Sequence, residues 1–470
     1  MLKRIVSSAL LALVAAACGG DDKECTLADP KSCSENLVCE KVAGQEQAMC
    51  FAPVQVQGKV FDLQTNAPVV NAEVTALDIN GAPVSGVAKS GPDGRYSLSI
   101  PTERSDDKGT PVAARLTLRA GAQDYQPFPA GLRVALPIDT AGAAAADEES
   151  PWVFSSAQTD VGLIAVPAEQ KGRPAVSGTV EAGAGRSALV VVEGNGMAYS
   201  AIADTSGAWK VFNVAPGGGY KAQAYVKGSN YTAADVSVQA GVETANVAIR
   251  RAGDSTATLS GTIQLVAGAN GAGTSVVMVV ESTFNTALLR GEVPPGLRAP
   301  DSGIAPNISG AFSITGVPDG KYVVLAAFEN DGNVRDPDPN ISGTQLARIT
   351  VANGTPSLSP AFKVTGAIQM VSPGAGDTTE AVTGTPKFSW KPYSSAQSYE
   401  LRVFDSQGNK VWENLAVPDV KTSAGNIEAA YAGQPLTPGL IYQWRATAKG
   451  NAGNPISQTE ELRGLFSVQP

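Results

Sequence analysis

Cysteine and carboxylate carry most of the chemistry open to this chain of 470 residues, because it contains no histidine. Without imidazole neither a Ser-His-Asp nor a Cys-His nucleophile can be assembled, and zinc loses its commonest nitrogen ligand. Carboxylate pairs and Ser-Lys arrangements remain open in principle. Of the five cysteines, Cys25, Cys33, Cys39 and Cys50 form an even set packed into 26 residues without a CxxC pair. In an exported chain such a set is read as two disulfides in preference to zinc, and the three pairings that four cysteines allow stay open. A segment this short cannot bury enough apolar area to hold itself together, so covalent staples limit its unfolded state. It is expected to act as a spacer.

A second set of ligand-type residues lies far downstream. Glu329, Asp331, Asn333, Asp336, Asp338 and Asn340 offer hard oxygens at the close spacing calcium prefers. Pro337 and Pro339 impose extended backbone and no Glu closes the set, so the EF-hand pattern is not met. A solvated polar loop is the alternative. Asp93, Asp204 and Asp319 sit in turns, where a carboxylate bonds nearby backbone, and turn chemistry accounts for all three.

The remaining cysteine, Cys18, closes the stretch MLKRIVSSALLALVAAACGG. Lys3 and Arg4 precede an apolar run of 13 residues, Ile5–Ala17, ending in small residues suited to signal cleavage. Spanning a bilayer takes about 20 residues, so a permanent membrane helix is disfavoured. A cysteine directly after Ala15-Ala16-Ala17 resembles the bacterial lipoprotein signal, although Ala15 stands where Leu is usual and Val14 lies one place earlier. An ordinary secretory signal with a chance cysteine is the alternative. The resemblance implies cleavage before Cys18, acyl chains on its sulfur and new amine, and stable membrane attachment. Gly19 to Asp22 form a flexible tether, and Gly19 implies sorting to the outer membrane, facing the periplasm or the cell surface.

Fifty Gly, 31 Pro and abundant Val, Thr and Ala favour short strands and tight turns over helices. The expected class is all-β, tandem sandwiches behind the signal (1–17) and the tether with its cysteine module (18–55). From Val56 the text G-x-V-x-D, P-V-x-x-A-x-V and D-G-x-Y-x-L resembles the carboxypeptidase regulatory-like family of transthyretin-like sandwiches. The pattern recurs: each copy pairs a glycine-opened strand with a turn glycine and an aromatic, at Gly94 and Tyr96, Gly207 and Trp209, Gly310 and Phe312. Three sandwiches are expected over 56–168, 173–252 and 256–365, with the three aromatics as core plugs. Ala141–Ser150 is expected to be a mobile acidic loop, and Phe284–Pro306 too rich in Pro and Gly for strand or helix.

Residues 366–470 change vocabulary. Trp390 and the run Leu436-Thr437-Pro438-Gly439 leading to Tyr442 resemble the fibronectin type III domain, which implies a buried tryptophan and a corner tyrosine bonded to upstream backbone. Trp412 matches no core position, so it is either a packed hairpin residue or an exposed sugar or protein contact.

The net charge of -9, deeper once Lys3 and Arg4 are removed, makes nucleic acid a poor partner. Regulatory-like sandwiches often accompany metallocarboxypeptidases, but no catalytic domain remains here and their zinc ligation needs histidine. The expected function is therefore non-enzymatic and cofactor-free apart from the calcium reading. The sandwiches would form a rod on a lipid anchor, displaying a surface to envelope proteins or polysaccharide. Carbohydrate binding through exposed aromatics is the second hypothesis. Calcium at 329–340 would raise the melting temperature of the 256–365 fragment. Equal melting in calcium and in chelator removes that site.

Overall fold

Glycine facing an aromatic ring sets the first strand of each of three domains. Gly58 lies opposite Tyr96, Gly178 opposite Trp209 and Gly261 opposite Phe312, and all three rings are buried. A Cβ on Gly178 would sit 1.8 Å from the Val247 carbonyl oxygen and 2.9 Å from the Trp209 ring, and one on Gly261 2.6 Å from the Phe312 ring. In the second and third domains the glycine is thus the gap that lets the ring lie across the strand, whereas a Cβ on Gly58 would meet the Thr159 carbonyl oxygen at 2.1 Å. The turn before the ring is set by Asp93, which accepts from the Arg95 N–H, and by Asp204, which accepts from Ser206 and Ala208. Asp319 differs: its carboxylate accepts from Asn353 and Gly354 in a neighbouring hairpin.

The computed structural model describes residues 24–469, apart from 28, 30–31, 79–80, 130–137, 148–149, 184–185, 266–273, 287–290, 302–306, 327–332, 336–346, 357–361, 377–378, 406–408, 421–424 and 461–462. The fold is all-β, built of paired sheets. In each of the first three domains the opening strand is antiparallel to the strand bearing the aromatic and parallel to the closing strand. Val54–Asp62 pairs with Arg95–Ile100 and Val161–Leu163, Val176–Val180 with Ala208–Val211 and Thr244–Asp254, Thr258–Leu265 with Ala311–Thr315 and Phe362–Gly366. A second sheet closes each sandwich, centred on Glu73–Asp78, Ala188–Gly194 and Val276–Val280. In the second and third domains a tyrosine hydroxyl donates back to the turn before its strand, Tyr220 to the Ala215 carbonyl and Tyr322 to that of Pro318.

The three sandwiches do not form a rod. Ala188–Gly194, sequence ALVVVEG, is buried over five consecutive residues. Val190 and Val192 enter the second domain's own core, whereas Leu189, Val191, Ile202 and Tyr225 join the third domain's core around Met278 and Val324. Val276–Val280 is likewise buried throughout, and its outer residues Val277 and Val279 pack with Val293, Val323 and Leu325 of their own domain and with Ala82 of the first. A sheet covered on both faces reads as a continuous apolar run, which explains sequences that plain alternation did not. The stretch Phe284–Pro306 supplies much of the adhesion. It contributes a short strand, Arg298–Ala299, apolar Val293 and Leu297, a buried ion pair from Arg298 to Asp78, and Asp301, which bonds Lys227 at 2.6 Å. The start of the Ala141–Ser150 stretch is tied down: Asp139 caps a short turn over Thr140–Gly142, and Ala144 pairs with Val153.

The cysteine module is not a spacer. It forms a small sheet whose last strand, Ala48–Phe51, runs almost directly into the first sandwich. Arg104 of that sandwich is fully buried beneath it. Its guanidinium bonds Glu40 at 2.5 Å and the carbonyls of Gly109 and Ala52 at 2.7 and 2.8 Å, and lies over the Phe51 ring. Burial pushes the Glu40 carboxyl above its ordinary range, while the Arg104 charge and the Thr102 N–H hold it down.

The fourth domain is a separate two-layer sandwich. Met370–Ser372, Lys387–Trp390 and Ile427–Ala430 face a six-stranded sheet whose central strand, Ser398–Phe404, alternates buried and half-buried residues. Trp390 is buried, and the Tyr442 hydroxyl accepts from the Thr437 N–H at 2.9 Å. Among the described residues, no helix is long and apolar enough to cross a membrane.

Two outcomes follow from this packing. Arg104→Ala leaves the Glu40 carboxylate buried without a counter-charge and two carbonyls unpaired, a loss of about 3–5 kcal/mol, read as a lower urea midpoint for the first unfolding transition. Replacing both partners with Glu40→Leu and Arg104→Met is expected to return most of it. The second outcome is in alkali. Burial raises the pKa of Tyr96, Tyr225 and Tyr322, and that of Tyr399 to about 12. A raised phenol contributes stability that is complete below pH about 10 and is lost as pH climbs toward its folded value, at about 1.4 kcal/mol per pH unit for each ring. Absorbance at 295 nm should show these four ionising only as the chain unfolds; ionisation of all 11 tyrosines near their ordinary value in the folded protein would contradict it.

Candidate functional site

Where the three sandwiches meet, one side chain from each joins in a single polar cluster. Arg119, on Arg115–Gly121 of the first domain, donates to the Ser200 carbonyl at 2.9 Å, to the Ser200 hydroxyl at 3.0 Å and to Glu292 at 3.2 Å. Ser200, on Met197–Ala203 of the second, donates its hydroxyl to Glu292 at 2.6 Å, and Glu292 comes from the Phe284–Pro306 stretch of the third. The cluster walls a cavity of about 360 Å³ that takes residues from all three domains and the connecting segment. That volume lies within the ~300–1,000 Å³ typical of small-molecule sites.

Backbone geometry fixes the cavity's walls. Asn213 is held in the left-handed region with φ 58°, which an Asn tolerates better than other side chains. There its amide bridges the first and second domains, accepting from the Asp124 N–H at 2.8 Å and donating to the Tyr125 carbonyl at 2.8 Å. Asp124 in turn accepts from the Gly172 N–H at 2.7 Å, and Gln123 donates to the Arg173 carbonyl at 2.8 Å. The segment between the first two domains is therefore stitched to the first and does not swing. The rings of Tyr125, Tyr199 and Phe212 are half-buried around the space.

Five charged residues line it, the cations Arg119, Arg173 and Lys210 and the carboxylates Glu73 and Glu292. Burial raises the Glu73 carboxyl, opposed chiefly by the Lys89 charge 3.5 Å away. Lys210 bonds Glu243 at 2.8 Å and lies over the Phe212 ring. Arg173, half-buried, makes no ion pair or side-chain hydrogen bond among the described residues, and its charge lowers the pKa of the Tyr199 phenol that burial otherwise raises. The arrangement can hold a small polar ligand against flat apolar walls.

The residues singled out from the sequence lie elsewhere. Cys18 and Glu329, Asp331, Asp336 and Asp338 are outside the described residues, and Asn333 begins a short strand, Asn333–Arg335, paired with Gly366. The four module cysteines form Cys25–Cys39 and Cys33–Cys50, a crossed pairing that spacing had left open. Trp412 is half-buried, its ring stacked on Phe388 at 6.2 Å and tilted against Tyr431 at 5.2 Å. Sequence reasoning passed over Arg119, Arg173, Ser200 and Glu292. The available signal was the unbroken apolar run in ALVVV and VVMVV, which marks sheets with a second face to cover.

Residues 377–463 match the family of Rha78A-like N-terminal immunoglobulin domains. No curated protein matches the chain. Among solved structures, the chain is similar to the TIE protein of Bacillus anthracis, at 10% identity and TM-score 0.16, over 93% of this chain and 75% of that one. BcpA, the major pilin subunit of Bacillus cereus, aligns at 9% identity and TM-score 0.16, over 67% and 99%. A tetra-tandem repeat from the extending region of a large adhesion protein aligns at 16% identity and TM-score 0.14, over 88% and 100%.

Proposed function

We propose that this protein is a lipid-anchored scaffold of the bacterial envelope, sorted to the outer membrane, which binds other envelope components and performs no chemistry of its own. The observation that carries this reading is the closure of the domain boundaries. Buried Arg104–Glu40 and Arg298–Asp78 pairs, the Arg119–Ser200–Glu292 cluster and the shared apolar core join the cysteine module and three sandwiches into one body. Such a body keeps the surfaces of its joined domains in a fixed relation to one another, which is what a presenting scaffold needs. The sequence adds the rest: the signal-like stretch ending at Cys18, the regulatory-like and fibronectin-like patterns, and a composition without histidine. Its partners are envelope or surface proteins or polysaccharide, and acidic charge disfavours nucleic acid.

The anchor is tested by growing cells with a clickable fatty acid and comparing the natural protein with Cys18→Ser. The natural protein should carry label and sediment with membranes, whereas the variant should lose the label and appear in the soluble fraction. Identical labelling and fractionation would refute the anchor.

A further inference from the structure

We propose that the cavity at the junction of the three sandwiches binds an acidic sugar, with Arg173 meeting its carboxylate. This goes beyond the scaffold reading and does not depend on the lipid anchor. The buried cations elsewhere in the molecule already have partners: Arg104 has Glu40, Arg298 has Asp78 and, inside the same cavity, Arg119 has Glu292. Among the described residues Arg173 is the one cation of the cavity without a carboxylate partner, and its backbone is fixed by the Gln123 bond and by the cap that Asp124 places on Gly172. A guanidinium left unpaired on a fixed backbone is a fork for a ligand carboxylate. With three cations against two carboxylates, the lining is positive within a chain of net charge -9.

The remaining walls select a ring with hydroxyl edges over a plain aliphatic acid. Tyr125, Tyr199 and Phe212 offer flat faces on which the C–H face of a pyranose can pack. Gln126 and Gln170 line the same space, and their side-chain amides make no hydrogen bond among the described residues. Each amide presents a donor beside an acceptor, the pattern that a pair of adjacent sugar hydroxyls complements. Because the walls come from separate domains, the site exists only in the closed arrangement.

Isothermal titration of the full-length protein in detergent with glucuronate, glucuronate methyl ester and N-acetylglycine tests the assignment. Glucuronate should bind, with the methyl ester about tenfold or more weaker, since the charge-assisted bonds are lost. Arg173→Gln should abolish that difference without moving the melting temperature, and Phe212→Ala should weaken both sugars. Arg95→Gln, at an exposed position outside the cavity, should change nothing. The proposal is overturned if neither sugar binds, if acid and ester bind the natural protein equally, or if N-acetylglycine binds more tightly than glucuronate. The acid-to-ester ratio on the natural protein decides the matter even if a variant fails to fold.

Discussion

Covering the outer faces of two sheets is the constraint on which the architecture rests. Leu189, Val191 and Ile202 point away from their own sandwich, as do Val277 and Val279 from theirs, yet every one is almost wholly shielded. Burying a side chain of this size is favourable by about 1.5–3 kcal/mol, so separating the second and third sandwiches would forfeit much of that for Leu189, Val191 and Ile202, whereas Val277 and Val279 keep the cover of Val293 and Phe284 from their own domain. The ion pairs at the same boundaries have a different part. Desolvation offsets most of their attraction, so they contribute less to cohesion than to register, selecting one docking among the many that an apolar face permits.

Described residues between Phe284 and Pro306 of the third sandwich do much to fix how the domains dock. Phe284–Pro306 carries Glu292 to the first and second domains, Arg298 to Asp78 and Asp301 to Lys227. A regular strand could not deliver three charges to three places, because its side chains alternate between only two faces. The cavity at the junction is a product of the same arrangement, since its polar lining is drawn from elements that no single domain contains.

The two ends of the chain contrast. At the amino end a disulfide module too small for a core of its own borrows one, through Arg104 beneath Glu40 and Phe51. At the carboxyl end the immunoglobulin-like sandwich is self-sufficient. Its strand Ser398–Phe404 alternates in burial as a sheet with one free face does, and the Trp390, Trp444 and Phe388 rings pack within it.

The sequence by itself determined what is local. Turn aspartates, the turn glycine just before Tyr96, Trp209 or Phe312, the threefold recurrence of that device, the even cysteine count and the corner at Tyr442 all depend on residues close along the chain or on period-two alternation. The tertiary structure alone decided which cysteines pair, that the module docks instead of spacing, and that Arg119, Ser200 and Glu292 meet. Those outcomes depend on contacts 52 to 173 residues apart or on crossed pairing within one module, where no local period records a partner. The apolar runs announced that a second face needed cover, but burial is non-directional, and a hydrophobic face does not say which surface will cover it.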